Sequence, residues 1–284
     1  MKKTLLNSLL TIALILPTIS FSQTFTWKWA KTGVNWGADE GYDVATDLAG
    51  NAYLTGSLNT EVFLSKFSST GTLLWNKTSV GTSTEIGYSI ATDLSANIYL
   101  TGWFNSPTVA FGTYTLTNTS SGGSAFLVKY DSSGNVIWAR NSGGSSGAQG
   151  FDVAVDKNGN AFVTGSFGTT ALTFGTYTLT NTGPGNGIFL VRYDANGNVS
   201  WAKSAGPGNA DLGLGVTADG LGNAYITGVF NGSITFGGYT LTNSGGAGSS
   251  EIYLAKYDST GNVSWANNTI GTSTCFVSNQ SVLI

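Results

Sequence analysis

The sequence predicts an all-β chain of repeated four-stranded antiparallel units, arranged as the blades of a β-propeller. Three observations lead there. Across 284 residues, 40 glycines, 4 prolines and no histidine accompany many Thr, Ser, Val, Tyr and Phe, a balance that favours strands joined by tight turns. Trp29, Trp75, Trp138, Trp201 and Trp265 open the segments WAK, WNK, WAR, WAK and WAN at steps of 46, 63, 63 and 64 residues, and a fixed period of this kind marks repeat architectures. Turns such as DKNGN from Asp156 and DANGN from Asp194 combine an Asp that bonds its own backbone with a Gly that accepts positive φ.

Taken in order, residues 1–22 have the profile of a secretory signal peptide. Lys2 and Lys3 precede a mostly apolar stretch from Leu5 to Leu16, and Ser20-Phe21-Ser22 offers small residues at the two positions read for cleavage. Asn7, Ser8 and Thr11 interrupt the run, which falls short of the roughly 20 apolar residues that span a bilayer. The expectation is export, to the extracellular space or the outer cell surface, with no transmembrane segment in the mature chain. Residues 23–268 then hold the repeats. A lone outer strand at 24–32, overlapping WKWAKTG (27–33), lacks the three strands that would precede it, and four complete blades follow at about 41–79, 87–142, 150–204 and 213–268. In the third, the strands are GFDVAVD (150–156), NAFVTGSF (160–167), IFLVRYD (188–194) and NVSWAK (198–203). A row of separate small sandwiches is the rival arrangement.

The phrase FGTYTLTNT at 111–119 returns at 174–182 and again as FGGYTLTNS from 236, and the shorter first unit lacks it. Gly112-Thr113, Gly175-Thr176 and Gly237-Gly238 suit two-residue type II′ turns. The phrase therefore reads as a hairpin insert that raises one loop rim of the propeller. After the fourth unit, IGTST (270–274) parallels VGTST (80–84) before CFVSNQSVLI abandons the pattern. The tail, 269–284, reads either as a truncated or frame-shifted further repeat or as a cover for the last exposed edge. Its lone Cys275 allows no intrachain disulfide.

The joint pattern of D-x-x-G-N, Y-x-T-G, F-G-x-x-L-T-N, F-x-x-K-Y-D and a closing Trp, from Trp29 to about Asn268, resembles the SBBP repeat, a bacterial β-propeller repeat family of exported proteins. The resemblance implies a propeller on an exported or surface protein and no defined activity. The family's name refers to seven blades; four complete repeats imply an open or truncated ring.

Charge narrows the function classes. Without Lys2 and Lys3 the chain carries 12 − 2 = 10 basic and 15 acidic residues, a net charge of −5, and nucleic acid as a partner needs clustered positive charge. Asp47, Asp93, Asp156 and Asp219 recur at one repeat position and Lys66, Lys129, Arg192 and Lys256 at another. Recurrence in every unit indicates structural roles, including a partly buried pair such as Asp156 with Arg192. Trp75, Trp138, Trp201 and Trp265 are expected to pack between blades. Each D-x-x-G-N loop carries one carboxylate, too few to surround calcium, and no metal site or cofactor is expected. Asp39, Glu40, Glu85 and Asp211 in the links, with Trp36 and Trp103, stand off the pattern and are the ligand-binding candidates. Carboxylates beside exposed rings suit a glycan. The reading is a non-catalytic scaffold that binds glycan, matrix or an extracellular protein through the rim carrying the FGxYTLTN hairpins. The alternative is a glycosidase or lyase using two rim carboxylates, since the absence of histidine removes the Ser-His-Asp triad. No catalytic residue is assigned.

Overall fold

The computed structural model describes residues 39–168, 171–206, 209–245 and 249–269. The leader, the lone strand at 24–32, Trp36 and the tail beyond Thr269 lie outside them. Each unit forms one four-stranded antiparallel sheet in the strand order first, second, third, fourth. Sheet one comprises Glu40–Thr46, Ala52–Leu58, Glu61–Phe67 and Leu73–Thr78. Sheet two comprises Glu85–Thr92, Ile98–Phe104, Ser124–Tyr130 and Val136–Asn141. Sheet three comprises Ala148–Val155, Ala161–Phe167, Gly187–Tyr193 and Val199–Ala205, and sheet four Leu212–Ala218, Ala224–Phe230, Glu251–Tyr257 and Val263–Asn268. No helix among the described residues is long and apolar enough to cross a membrane.

Local chemistry explains the repeated letters. In the first turn of each unit the Asp carboxylate accepts backbone N–H groups two and four residues on; Asp47 takes those of Ala49 and Asn51 at 3.0 and 2.9 Å. Its other oxygen accepts the Asn51 side-chain amide at 2.8 Å, and the same geometry recurs at Asp93, Asp156 and Asp219. The carboxylate's first task is to close its own loop. The glycine of the T-G motif answers a different need. A Cβ at Gly56, Gly102, Gly165 or Gly228 would sit 1.8–1.9 Å from a carbonyl oxygen of the adjacent first strand, so no side chain fits there.

The hydrophobic cores lie between sheets rather than within them. One joins Tyr53, Val62 and Leu64 of sheet one to Ile90, Leu100 and Phe126 of sheet two. A second joins Tyr99, Leu127 and Trp138 to Val153, Val163 and Phe189, and a third joins Phe162, Leu190 and Trp201 to Val216, Ile226 and Tyr253. The first strand of each later sheet lies across its predecessor. Polar ties fasten the same joints. The indole N–H groups of Trp75, Trp138 and Trp201 donate to the carbonyls of Ser132, Ala195 and Ser259 in the next unit's second turn, at 3.3, 3.1 and 3.1 Å. Lys66, Lys129 and Arg192 donate to the same three carbonyls at 3.0, 3.3 and 3.2 Å.

Two expectations need correction. Ion pairs form between Lys66 and Asp47 at 3.9 Å and between Lys129 and Asp93 at 3.8 Å, yet Asp156 and Arg192 make none. The Arg192 guanidinium reaches across to the Ser259 carbonyl, as Lys66 and Lys129 reach theirs, and lies over the Phe162 ring, 5.7 Å from its centroid, without coming within ion-pair distance of Asp156. The hairpins Thr108–Phe111/Tyr114–Thr117, Leu172–Phe174/Tyr177–Leu179 and Ser233–Phe236/Tyr239–Thr242 do not raise a rim. They fold back over the outer strands of their own sheets, where Tyr114, Tyr177 and Tyr239 donate their hydroxyls to the carbonyls of Ile137, Ser200 and Ser264, each at 2.7 Å. Phe111, Phe174 and Phe236 are buried against Phe126, Phe189 and Tyr253 at centroid distances of 5.0, 5.0 and 4.8 Å, which draws the insert inward. Val80 bridges to Ala110, and Gly143-Gly144 pairs with Leu172-Thr173, so the hairpins also clasp the preceding unit's exit.

Candidate functional site

The site begins with a backbone irregularity. In every first strand the register slips by one residue: between Gly41 and Asp43, Gly87 and Ser89, Gly150 and Asp152, and Gly213 and Gly215. The extra residues are Tyr42, Tyr88, Phe151 and Leu214. A β-bulge re-aims the side chain it carries, and here all four bulged residues line one cavity of about 430 Å³ together with Asp43, Ser89 and Asp152. Tyr42 meets Tyr88 edge-on at 5.4 Å and Tyr88 meets Phe151 at 5.5 Å. Three rings from three units thus form a row along the inner strands.

Polar groups behind the row tie unit to unit. The Ile90 N–H donates to Asp43 at 2.9 Å, the Val153 N–H to Ser89 at 3.4 Å and the Val216 N–H to Asp152 at 2.7 Å. Asp152 also accepts the Ser89 hydroxyl at 2.7 Å and its neighbour's Val153 N–H at 2.9 Å. Burial outweighs these donors and pushes the Asp152 carboxyl up to about 7, with the nearby Asp43 charge adding in the same direction. Burial raises Asp43 too. Among the described residues no cluster of three or more metal-ligating side chains forms.

The off-pattern candidates are not gathered into one site. Asp39 and Glu40 are exposed at the start of sheet one, where Glu40 accepts the Tyr42 hydroxyl. Glu85 and Asp211 are both wholly buried. Alignment on the bulge glycines places Asp39, Glu85, Ala148 and Asp211 in one column, so these acids belong to the repeat instead of breaking it. Glu85 accepts the Ser106 hydroxyl, whose oxygen accepts the N–H groups of Thr82 and Ser83 at 2.7 and 2.8 Å. Burial raises its carboxyl and the Glu61 carboxylate adds to that. Asp211 accepts the N–H groups of Asn231 and Asn209 at 3.0 and 3.3 Å, and burial pushes it up to about 6. Both acids close the loop that leaves the second strand. Trp103 is half-buried and donates its indole N–H to the Gly122 carbonyl at 3.1 Å. Trp36 lies outside the described residues. Sequence reasoning missed the bulged row, although its signal is legible as G-Y-D-V, G-Y-S-I, G-F-D-V and G-L-G-V at residues 41, 87, 150 and 213.

Comparison with known proteins agrees with the repeat. Residues 137–166 match the β-propeller repeat termed SBBP. An uncharacterized WD repeat-containing protein of Acanthamoeba polyphaga mimivirus is 31% identical over 135 residues, covering 45% of this chain and 10% of the relative. The chain therefore spans about a tenth of that protein's length. A protein of unknown function from Bacteroides caccae, known from a crystal structure, is similar over 82% of each chain at 13% identity and a TM-score of 0.34. The match falls on the fourth strand of sheet two and the first two strands of sheet three, and it is that stretch which is similar to the SBBP β-propeller repeat.

Proposed function

We propose that the chain is an exported, non-catalytic scaffold whose sheets are blades of an open propeller, and that its ligand is a carbohydrate held at the bulge-lined cavity. The single observation that carries this is the row Tyr42, Tyr88 and Phe151, three rings about 5.5 Å apart in sequence along one cavity wall. Sugar rings present flat C–H faces that stack on aromatic rings and hydroxyls that hydrogen-bond to groups such as the Tyr42 and Tyr88 phenols. The leader-like residues 1–22 support export, which would place the cavity among extracellular glycans or matrix. The hairpins serve the outer edges, so they are not the binding elements. A catalytic role draws no support from the acids: Asp152 is engaged by three donors and Glu85 and Asp211 are wholly buried.

The test is a glycan array followed by calorimetry on the best oligosaccharide, with Tyr88→Ala and Trp103→Phe compared against the parent. Tyr88→Ala should weaken binding at least tenfold while Trp103→Phe leaves it unchanged. Absence of any array signal, or equal affinity in Tyr88→Ala, overturns the reading.

A further inference from the structure

The three cores between sheets consist of a trailing face of one unit and a leading face of the next. Among the described residues, sheet four has a trailing face with nothing behind it and sheet one a leading face with nothing before it. Thr55, Thr101 and Thr164 are fully buried because the bulge glycine of the next unit, Gly87, Gly150 or Gly213, presses on each hydroxyl; a Cβ there would lie 2.4–2.5 Å from it. Their counterpart Thr227 is half-buried, and Gly41 has no neighbour from another unit within 4 Å. Leu64, Leu127 and Leu190 are 1% exposed but Leu254 is 45% exposed. On the other side Ile90, Val153 and Val216 are 3–4% exposed while Val44 is 63% exposed.

We propose that a second copy of this chain covers these faces head to tail, its sheet one seated on the sheet four of the first. The evidence for that occupant is continuity: the two open faces are the same two surfaces that meet three times inside the chain, built from the same repeat positions. Gly41 would press on Thr227 and Val44 on Leu254. The Trp265 indole N–H and the Lys256 ammonium would donate to the Ser69 carbonyl, which holds the turn position of Ser132, Ala195 and Ser259. One tie is missing, since Gly215 offers no side-chain oxygen to Val44, so the joint is weaker than its internal counterparts and depends on concentration. Such a contact is heterologous and either closes a ring or extends as a filament.

The experiment is sedimentation velocity with light scattering on the full chain over a broad concentration range. Mass should rise from one copy to two or more. Val44→Arg and Leu254→Arg, both at exposed positions and checked for folding by circular dichroism, should each weaken association at least tenfold. An equimolar mixture of the two should then give a species of two copies and no larger, because the Leu254→Arg chain keeps its leading face and the Val44→Arg chain its trailing face. A single copy at every concentration, the result if residues 1–38 or 270–284 of the same chain cover these faces, overturns the proposal. So does a mixture that fails to associate, which points to a face-to-face contact or to none.

Discussion

Asp152 is the residue where the lateral ties carry most electrostatic consequence. Its folded pKa of about 7 lies above the ordinary aspartate value, so the folded state holds the proton more tightly than the unfolded chain. That contribution to stability is complete below about pH 4 and is lost as pH rises through 7, by roughly 4 kcal/mol at most. Asp152→Asn keeps an acceptor for the Val216 N–H and has no charge to bury. Urea unfolding should find the variant gaining on the parent between pH 4 and pH 8, and a parallel pair of pH profiles would refute the assignment. Asp211 makes a second test, through lost partners. Asp211→Ala leaves the Asn231 and Asn209 N–H groups without their acceptor, at a cost of about 1–3 kcal/mol in denaturant midpoint measurements. In sequence, Glu85 and Asp211 stand off the pattern because the loops before them differ in length, and only the glycine two residues later shows that they share a column with Asp39 and Ala148.

At the scale of the element, the strands were legible and their facing was not. The turn aspartates, the T-G motif and the tryptophans each recur for a local reason, and each locates a strand without help from the rest of the chain. A bulge shifts the alternation by one, so pattern alone cannot say which way Tyr42 or Phe151 points. The Gly turn marks the hairpin in the sequence but not its placement: whether it stands up or folds back depends on a pocket for Phe111 in another strand. Phe174→Ala should cost about 3–5 kcal/mol, whereas Tyr177→Phe, which gives up one exposed hydroxyl bond, should stay within about 1 kcal/mol. Equal effects in thermal melts would mean that the hairpin is not anchored by its aromatic side.

Across the whole molecule, stability is a sum over joints. A sheet with two neighbours is held on both faces and a terminal sheet on one, as in repeat arrays generally. Amide exchange should therefore be slowest in sheets two and three, faster in sheet four and fastest in the first strand of sheet one, most of whose residues are exposed. Raising protein concentration should slow exchange in that strand if copies join head to tail. Period and composition were enough to foresee the antiparallel repeats; the pairing of faces was not, because it depends on which side of each sheet a given column occupies.

Sheet one also differs in its connection, since Asn59-Thr60 alone joins its second and third strands and, among the described residues, no hairpin returns over its outer edge. Leu73 and Leu74 stand 54% and 51% exposed on the unguarded strand Leu73–Thr78. An unprotected, apolar β edge is a template for stacking. Under conditions that drive the chain into fibrils, LLWNKT is the expected point of nucleation, and Leu74→Lys should lengthen the lag phase in a thioflavin assay.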